Sequence, residues 1–183
     1  MANEQDPFDE RVAAKQALLA ATRRVSGALP SFSKWLMAGF GAAFSLTLAN
    51  IGTVSKFIGI AQIRFGLLLF LISLGLAVVS TYLGMIVDSA IAGHEDGEAI
   101  GKKIAESPQE FNLELFGSEY ERGLFPPIRW LAHASIEKAK SGDVVAGVRM
   151  IAKLSQIQTL LVVTQGILAV VAAGVLAVGL KAQ

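Results

Sequence analysis

Four side chains that could bind a metal ion cluster in a short stretch near the middle of the chain. They are His94, Glu95 and Asp96, which lie between two glycines, and Glu98, which follows the second glycine. Zinc sites combine several histidine or cysteine ligands, and calcium loops place acidic ligands at fixed alternating positions. One histidine among adjacent carboxylates fits neither pattern. We therefore predict a solvated acidic turn and no metal site.

A second set, Arg129, His133 and Glu137, recurs every four residues, which is the spacing of ion pairs along an exposed helix face. Catalysis needs a nucleophile, a base and an orienting group brought together. The chain has two histidines and no cysteine, and no glycine-rich loop is followed by Lys and Ser or Thr. We predict no catalytic residue, no cofactor and no small-molecule substrate, and therefore a protein that is not an enzyme.

Three long stretches of the chain contain no charged residue. They cover residues 35–55, 65–87 and 154–180 and contain 21, 23 and 27 residues. A helix needs roughly 20 apolar residues to cross about 30 Å of hydrocarbon. The sequence predicts an all-α membrane protein with three transmembrane helices. The first two form a hairpin over residues 35–87, and the third lies in residues 154–183.

The positive charges predict an orientation in the membrane. The segments 1–34, 56–64, 88–153 and 181–183 carry five, two, eight and one Lys or Arg residues. Because cytoplasmic segments collect positive charge, the N-terminus and the loop 88–153 are predicted to be cytoplasmic and the C-terminus external, as in a bacterial inner membrane. A net charge of +1 without a basic stripe gives no indication of nucleic-acid binding.

Small and polar side chains mark two helix faces as candidates for helix packing, because close backbone approach and hydrogen bonds drive association in lipid. The face on the first span has Gly39, Ala43, Thr47 and Asn50; that on the third has Gln158, Gln165, Ala169, Ala173 and Ala177. Comparable depths also predict a hydrogen bond between Thr47 and Gln165. The Ala- and Gly-rich third span is also compatible with lining an oligomeric pore, although helix packing explains its composition more simply.

The polar segments are predicted to be helical. Residues 9–29 form an amphipathic helix that lies on lipid headgroups or packs on the loop. In the loop, a break at 93–97 precedes helices at 98–106 and 127–140. Its large apolar side chains form either a partner-binding surface or a small core of the loop itself; they include Phe111, Leu115, Phe116, Phe125 and Trp130.

The functional hypothesis is a non-catalytic membrane protein that acts through protein–protein contacts. Its partners are the lipid bilayer and either other membrane subunits or copies of itself. It would serve as an accessory subunit of a membrane complex, or as an immunity or exclusion factor. The alternative is a homo-oligomeric pore or small channel lined by the third span.

Overall fold

The computed structural model describes residues 10–106, 112–126, 128–141, 143 and 145–180, and this part of the chain is almost entirely helical. Three long helices dominate, and three short ones lie between them. In chain order the helices are α1 (Glu10–Ala49), α2 (Ile51–Phe57), α3 (Ile60–Ala105), α4 (Leu113–Arg122), α5 (Ile128–Lys140) and α6 (Ala146–Val178). The prediction of an all-helical protein is confirmed for the described residues.

Two of these helices are long and apolar enough to cross a bilayer. They run over Ile60–Ile104 and Ala146–Val178. A third span results only if Val12–Ala49 and Ile51–Phe57, which meet at an angle of 93°, are counted together. The structure thus gives two to three candidate spans, and the exact number of three stays a prediction.

The first predicted span, 35–55, is not one straight helix. Asn50 interrupts it with φ −112° and ψ 27°, and its side-chain amide donates to the carbonyl of Leu46 at 2.9 Å. Asparagine competes well for backbone groups and so favours helix ends. On the other side, α1 continues through Pro30, so the predicted helix 9–29 and most of the first span form a single helix of 40 residues.

The break predicted at 93–97 is wrong, because α3 continues through both glycines to Ala105. Glycine inside a helix costs only about 1 kcal/mol. Side chains around this segment make contacts that offset part of that cost: Ile91 lies in an apolar cluster, Glu95 pairs with Arg23, and Glu98 pairs with Lys15. The predicted helix 98–106 is therefore the end of α3.

The chain divides into two compact units. The first contains the described residues up to 24 together with Ile86–Ser155. Its core is the cluster Val87, Ile91 and Ile151, against which Leu19, Ala90 and Leu154 pack. The short helices α4 and α5 belong to this unit and pack on each other.

The second unit contains residues 25–85 and the residues from 156 onward. Within it, α3 and α6 run antiparallel, since Gly84 faces Gln158 and Gly66 faces Leu176. A Cβ on Gly66 would lie 3.4 Å from the carbonyl oxygen of Ala172, so glycine allows the two backbones to approach closely here. Phe44 of α1 stacks on Phe70 of α3 with ring centroids 4.7 Å apart.

Buried positions in the second unit alternate in steps of three and four residues. On α3 they are Ile63, Gly66, Ser73, Ala77, Ser80 and Gly84, with Phe70 half-buried in the same row. On α6 they are Gln158, Val162, Gln165, Ala169 and Ala172, with Leu176 half-buried, and the row continues to Gly179 just after the helix. A mean step of 3.5 residues is the heptad period of left-handed helix packing. We call these two rows the packing seam. Its small and polar residues fit helices that associate in lipid.

Candidate functional site

The helical hairpin of α4 and α5 offers the most conspicuous candidate surface. The side chain of Asn112 begins α4 by accepting a hydrogen bond from the backbone amide of Leu115 at 2.9 Å. Gly117 of α4 is buried, and a Cβ there would lie 3.6 Å from Ile136 of α5. The ring of His133 lies 2.9 Å from the Glu121 carboxylate, joining the same two helices. These contacts hold the hairpin together.

The hairpin exposes large apolar and aromatic side chains on its outside. Phe125 is 85% exposed and Trp130 is 69% exposed. Phe116 and Tyr120 stack one turn apart with ring centroids separated by 6.2 Å. We call the group Leu115, Phe116, Tyr120, Phe125 and Trp130 the hairpin surface. Exposed apolar side chains that lie against each other, as Phe116 and Tyr120 do, are typical of sites that contact proteins or membranes.

This exposure bears on the predicted role of the loop. Of the five loop residues predicted to bind a partner, Leu115, Phe116, Phe125 and Trp130 are exposed, whereas Phe111 lies outside the described residues. The alternative, in which these side chains form a small core of the loop, does not fit their exposure. Tyr120 was missed by the sequence reasoning, although its spacing of four residues from Phe116 was a usable signal.

The acidic stretch 94–98 takes part in ion pairs within the first unit rather than in a turn. Lys15 donates to the Glu98 carboxylate, which lowers the pKa of Glu98, and Arg23 pairs with Glu95. Burial, followed by the nearby charge of Lys15, lowers the pKa of His94. All of these groups lie beyond the uncharged stretch 65–87. Among the described residues, no three acidic or histidine side chains come close enough together to hold a metal ion.

Buried polar side chains fill much of the packing seam in the second unit. Ser33 of α1 donates to the side-chain oxygen of Gln165 at 2.9 Å, and Ser73 of α3 donates to the backbone oxygen of the same residue at 3.1 Å. Gln158 is 1% exposed, and neither atom of its amide has a hydrogen-bond partner among the described residues. Among the described residues, Gln165 thus has a partner for its amide oxygen but none for its amide nitrogen, whereas Gln158 has a partner for neither.

The structure distributes the predicted helix-packing residues over two environments. Gln158, Gln165 and Ala169 are buried within the second unit. The others are exposed or, in the case of Thr47, half-buried; they are Gly39, Ala43, Thr47, Asn50, Ala173 and Ala177. For these exposed positions, helix packing stays a prediction that concerns other chains.

The expected hydrogen bond between Thr47 and Gln165 is wrong. The Thr47 hydroxyl donates instead to the carbonyl of Ala43 at 2.9 Å, while Gln165 accepts from Ser33. Ser33 lies outside the uncharged window 35–55, which is why the sequence reasoning did not consider it. Ser26 and Ser33 lie seven residues apart and Phe44 lies eleven residues further, which places all three on one face of α1; this spacing was the signal that would have found the buried face.

Comparisons of the chain with protein-family models, with curated proteins and with solved structures found no match.

Proposed function

We propose that the chain is a non-catalytic integral membrane protein that binds a second protein through the hairpin surface. The observation that carries the proposal is the exposure of five large apolar and aromatic side chains on two short helices that contact each other and on the turn that joins them. Buried aromatic side chains contribute most of the binding energy of protein interfaces. Exposing such side chains to water is unfavourable, and a bound partner would cover them. An accessory subunit and an immunity or exclusion factor both act in this way.

The burial of Gln158 and Gln165 in α6 favours this function over a pore, although Gln156 and Thr164 of the same helix are exposed. Gln158 and Gln165 point into the second unit, whereas the exposed positions of α6 include Val170, Ala173 and Ala177. A lumen lined by this exposed face would be apolar and would not attract ions or water. The pore therefore remains the weaker alternative.

The proposed topology has a cytoplasmic N-terminus and hairpin and an external C-terminus in a bacterial inner membrane. The distribution of Lys and Arg supports it, with the largest number in residues 88–153. Three spans place the two termini on opposite sides of the membrane, and two spans place them on the same side. A phosphatase reporter that is active only outside the cytoplasm is expected to be active after Gln183 and inactive before Met1. Equal activity at both ends would overturn the three-span topology.

The partner interaction is tested by truncating two anchors. The double variant Phe125→Ala/Trp130→Ala is expected to reduce the protein that co-purifies with the membrane-extracted chain by at least about tenfold, because each buried anchor contributes more than about 1 kcal/mol. Trp35→Ala is the matched control, since it removes an exposed aromatic side chain from α1. The same co-purification with both variants would contradict a role for the hairpin surface.

A further inference from the structure

An open groove lies between α1 and α3 in the second unit. Its volume is about 460 Å³, within the range of roughly 300–1,000 Å³ that small-molecule sites occupy. Four of its side chains are apolar and four are polar. They are Met37, Ala77, Val78 and Met85, and Ser33, Lys34, Thr81 and Tyr82.

Two of the polar groups are already engaged by the protein. The Ser33 hydroxyl donates to Gln165 at 2.9 Å, and the Thr81 hydroxyl donates to the carbonyl of Ala77 at 2.8 Å. The ammonium group of Lys34 and the hydroxyl of Tyr82 have no hydrogen-bond or ion-pair partner recorded among the described residues. The groove thus presents one positive charge and one hydroxyl to a ligand.

The position of Lys34 indicates which ligand. Tyr82 precedes Asp88, where the uncharged stretch of α3 ends, by six residues, or about 9 Å of helix. Lys34 lines the same groove as Tyr82 and so lies at a comparable depth. A lysine at this depth extends its ammonium group toward the phosphates of the membrane surface. Met37 and Val78 lie one turn further from the charged end than Lys34 and Tyr82, so an apolar surface continues below the two polar groups.

We propose that this groove binds an anionic phospholipid. The phosphate accepts hydrogen bonds from Lys34 and Tyr82, and an acyl chain lies along Met37 and Val78. The positive charge of Lys34 matches the negative headgroup of such a lipid, and the apolar part of the groove matches its acyl chain. The proposal rests on insertion of α1 and α3 in a bilayer and is independent of the hairpin surface, so either proposal can fail without the other.

Native mass spectrometry of the full chain in detergent tests this proposal, with phosphatidylglycerol and phosphatidylcholine supplied as separate probes. Phosphatidylglycerol is expected to bind in preference, and Lys34→Gln to weaken its binding about fivefold, the factor for one basic residue near an anionic surface. Lys34→Arg keeps the charge and is expected to keep the preference. Lys56→Gln removes an exposed lysine from α2 and is the matched control.

The outcomes separate clearly. If Lys34→Gln and Lys56→Gln bind phosphatidylglycerol as wild type does, or if both lipids bind equally to the wild type, the proposal is overturned. Loss of binding in Lys34→Arg as well as in Lys34→Gln, with helix content unchanged by circular dichroism, would also overturn the role of charge. If the mass spectra show a bound protein that is lost in Lys34→Gln, and no bound lipid, the lipid proposal is overturned and the groove is assigned to a partner helix.

Discussion

Replacing Gly84 with alanine is expected to destabilise the second unit by about 1–3 kcal/mol, the usual cost of adding a carbon atom to a filled core. The new Cβ would lie 2.6 Å from the amide nitrogen of Gln158 and 3.5 Å from its amide carbon. Gln158 is fully enclosed, so its side chain has no solvent-facing space into which it can move. The measurement is reversible unfolding of the purified chain in detergent micelles.

A matched substitution in the same helix isolates the effect of the contact. Gly75 is exposed, and a Cβ there would meet nothing within 4 Å, so Gly75→Ala is expected to leave the stability unchanged or to raise it slightly. Shortening the opposing side chain in Gly84→Ala/Gln158→Ala should recover part of the loss. If Gly84→Ala behaves as Gly75→Ala does, the close contact between α3 and α6 is not present.

Replacing Gln158 with methionine is expected to stabilise the protein by about 1–3 kcal/mol. Methionine has a similar length and shape, and the substitution removes a buried amide whose donor and acceptor both lack partners among the described residues. Burying a polar group without a hydrogen-bond partner costs more free energy than a typical hydrogen bond contributes to stability. Thermal unfolding in detergent measures the change.

Gln165→Met is the control for this substitution, since Gln165 occupies an equivalent seam position one heptad later. It accepts a hydrogen bond from Ser33, which the substitution removes, so the gain is expected to be smaller or absent. Equal gains for the two variants, or a loss of stability in Gln158→Met, would contradict the assignment of one paired amide atom to Gln165 and none to Gln158.

The long helices could be predicted from the sequence, because lack of charge over more than 20 residues is a local property that the bilayer selects directly. The ends of those helices could not. At the end of α1 the side-chain amide of Asn50 donates to the carbonyl of Leu46, whereas α3 continues through the glycines at 93 and 97, where Glu98 pairs with Lys15 and Glu95 with Arg23. Contacts between residues that are far apart in the sequence cannot be predicted from a short window of it.

The faces of the helices were predicted with mixed success for a related reason. A small-residue face chosen inside an uncharged window included Gln158 and Gln165, which are buried, but also Gly39 and Ala173, which are exposed. The buried rows follow a heptad period, and on α1 they begin before the window at Ser26 and Ser33. Hydropathy identifies helices that can enter lipid, but it does not show which of their faces meet.

The hairpin surface could be anticipated as a set of apolar residues, but not as a surface. The sequence favoured a partner-binding surface for Leu115, Phe116 and Phe125 but left a small core as the alternative; α4 and α5 pack through Gly117 and Ile136 instead. Pairing of two short helices through small and β-branched residues leaves the larger side chains outside. That arrangement follows from tertiary contacts rather than from composition.

Site-specific photocrosslinking from position 125 in living cells tests the central proposal most directly. With a photoreactive amino acid in place of Phe125, we expect one discrete protein adduct, which disappears when Trp130→Ala is added and persists when Trp35→Ala is added. Crosslinking to lipid alone, or an adduct that is indifferent to Trp130→Ala, would contradict the proposal that the hairpin surface binds a protein partner.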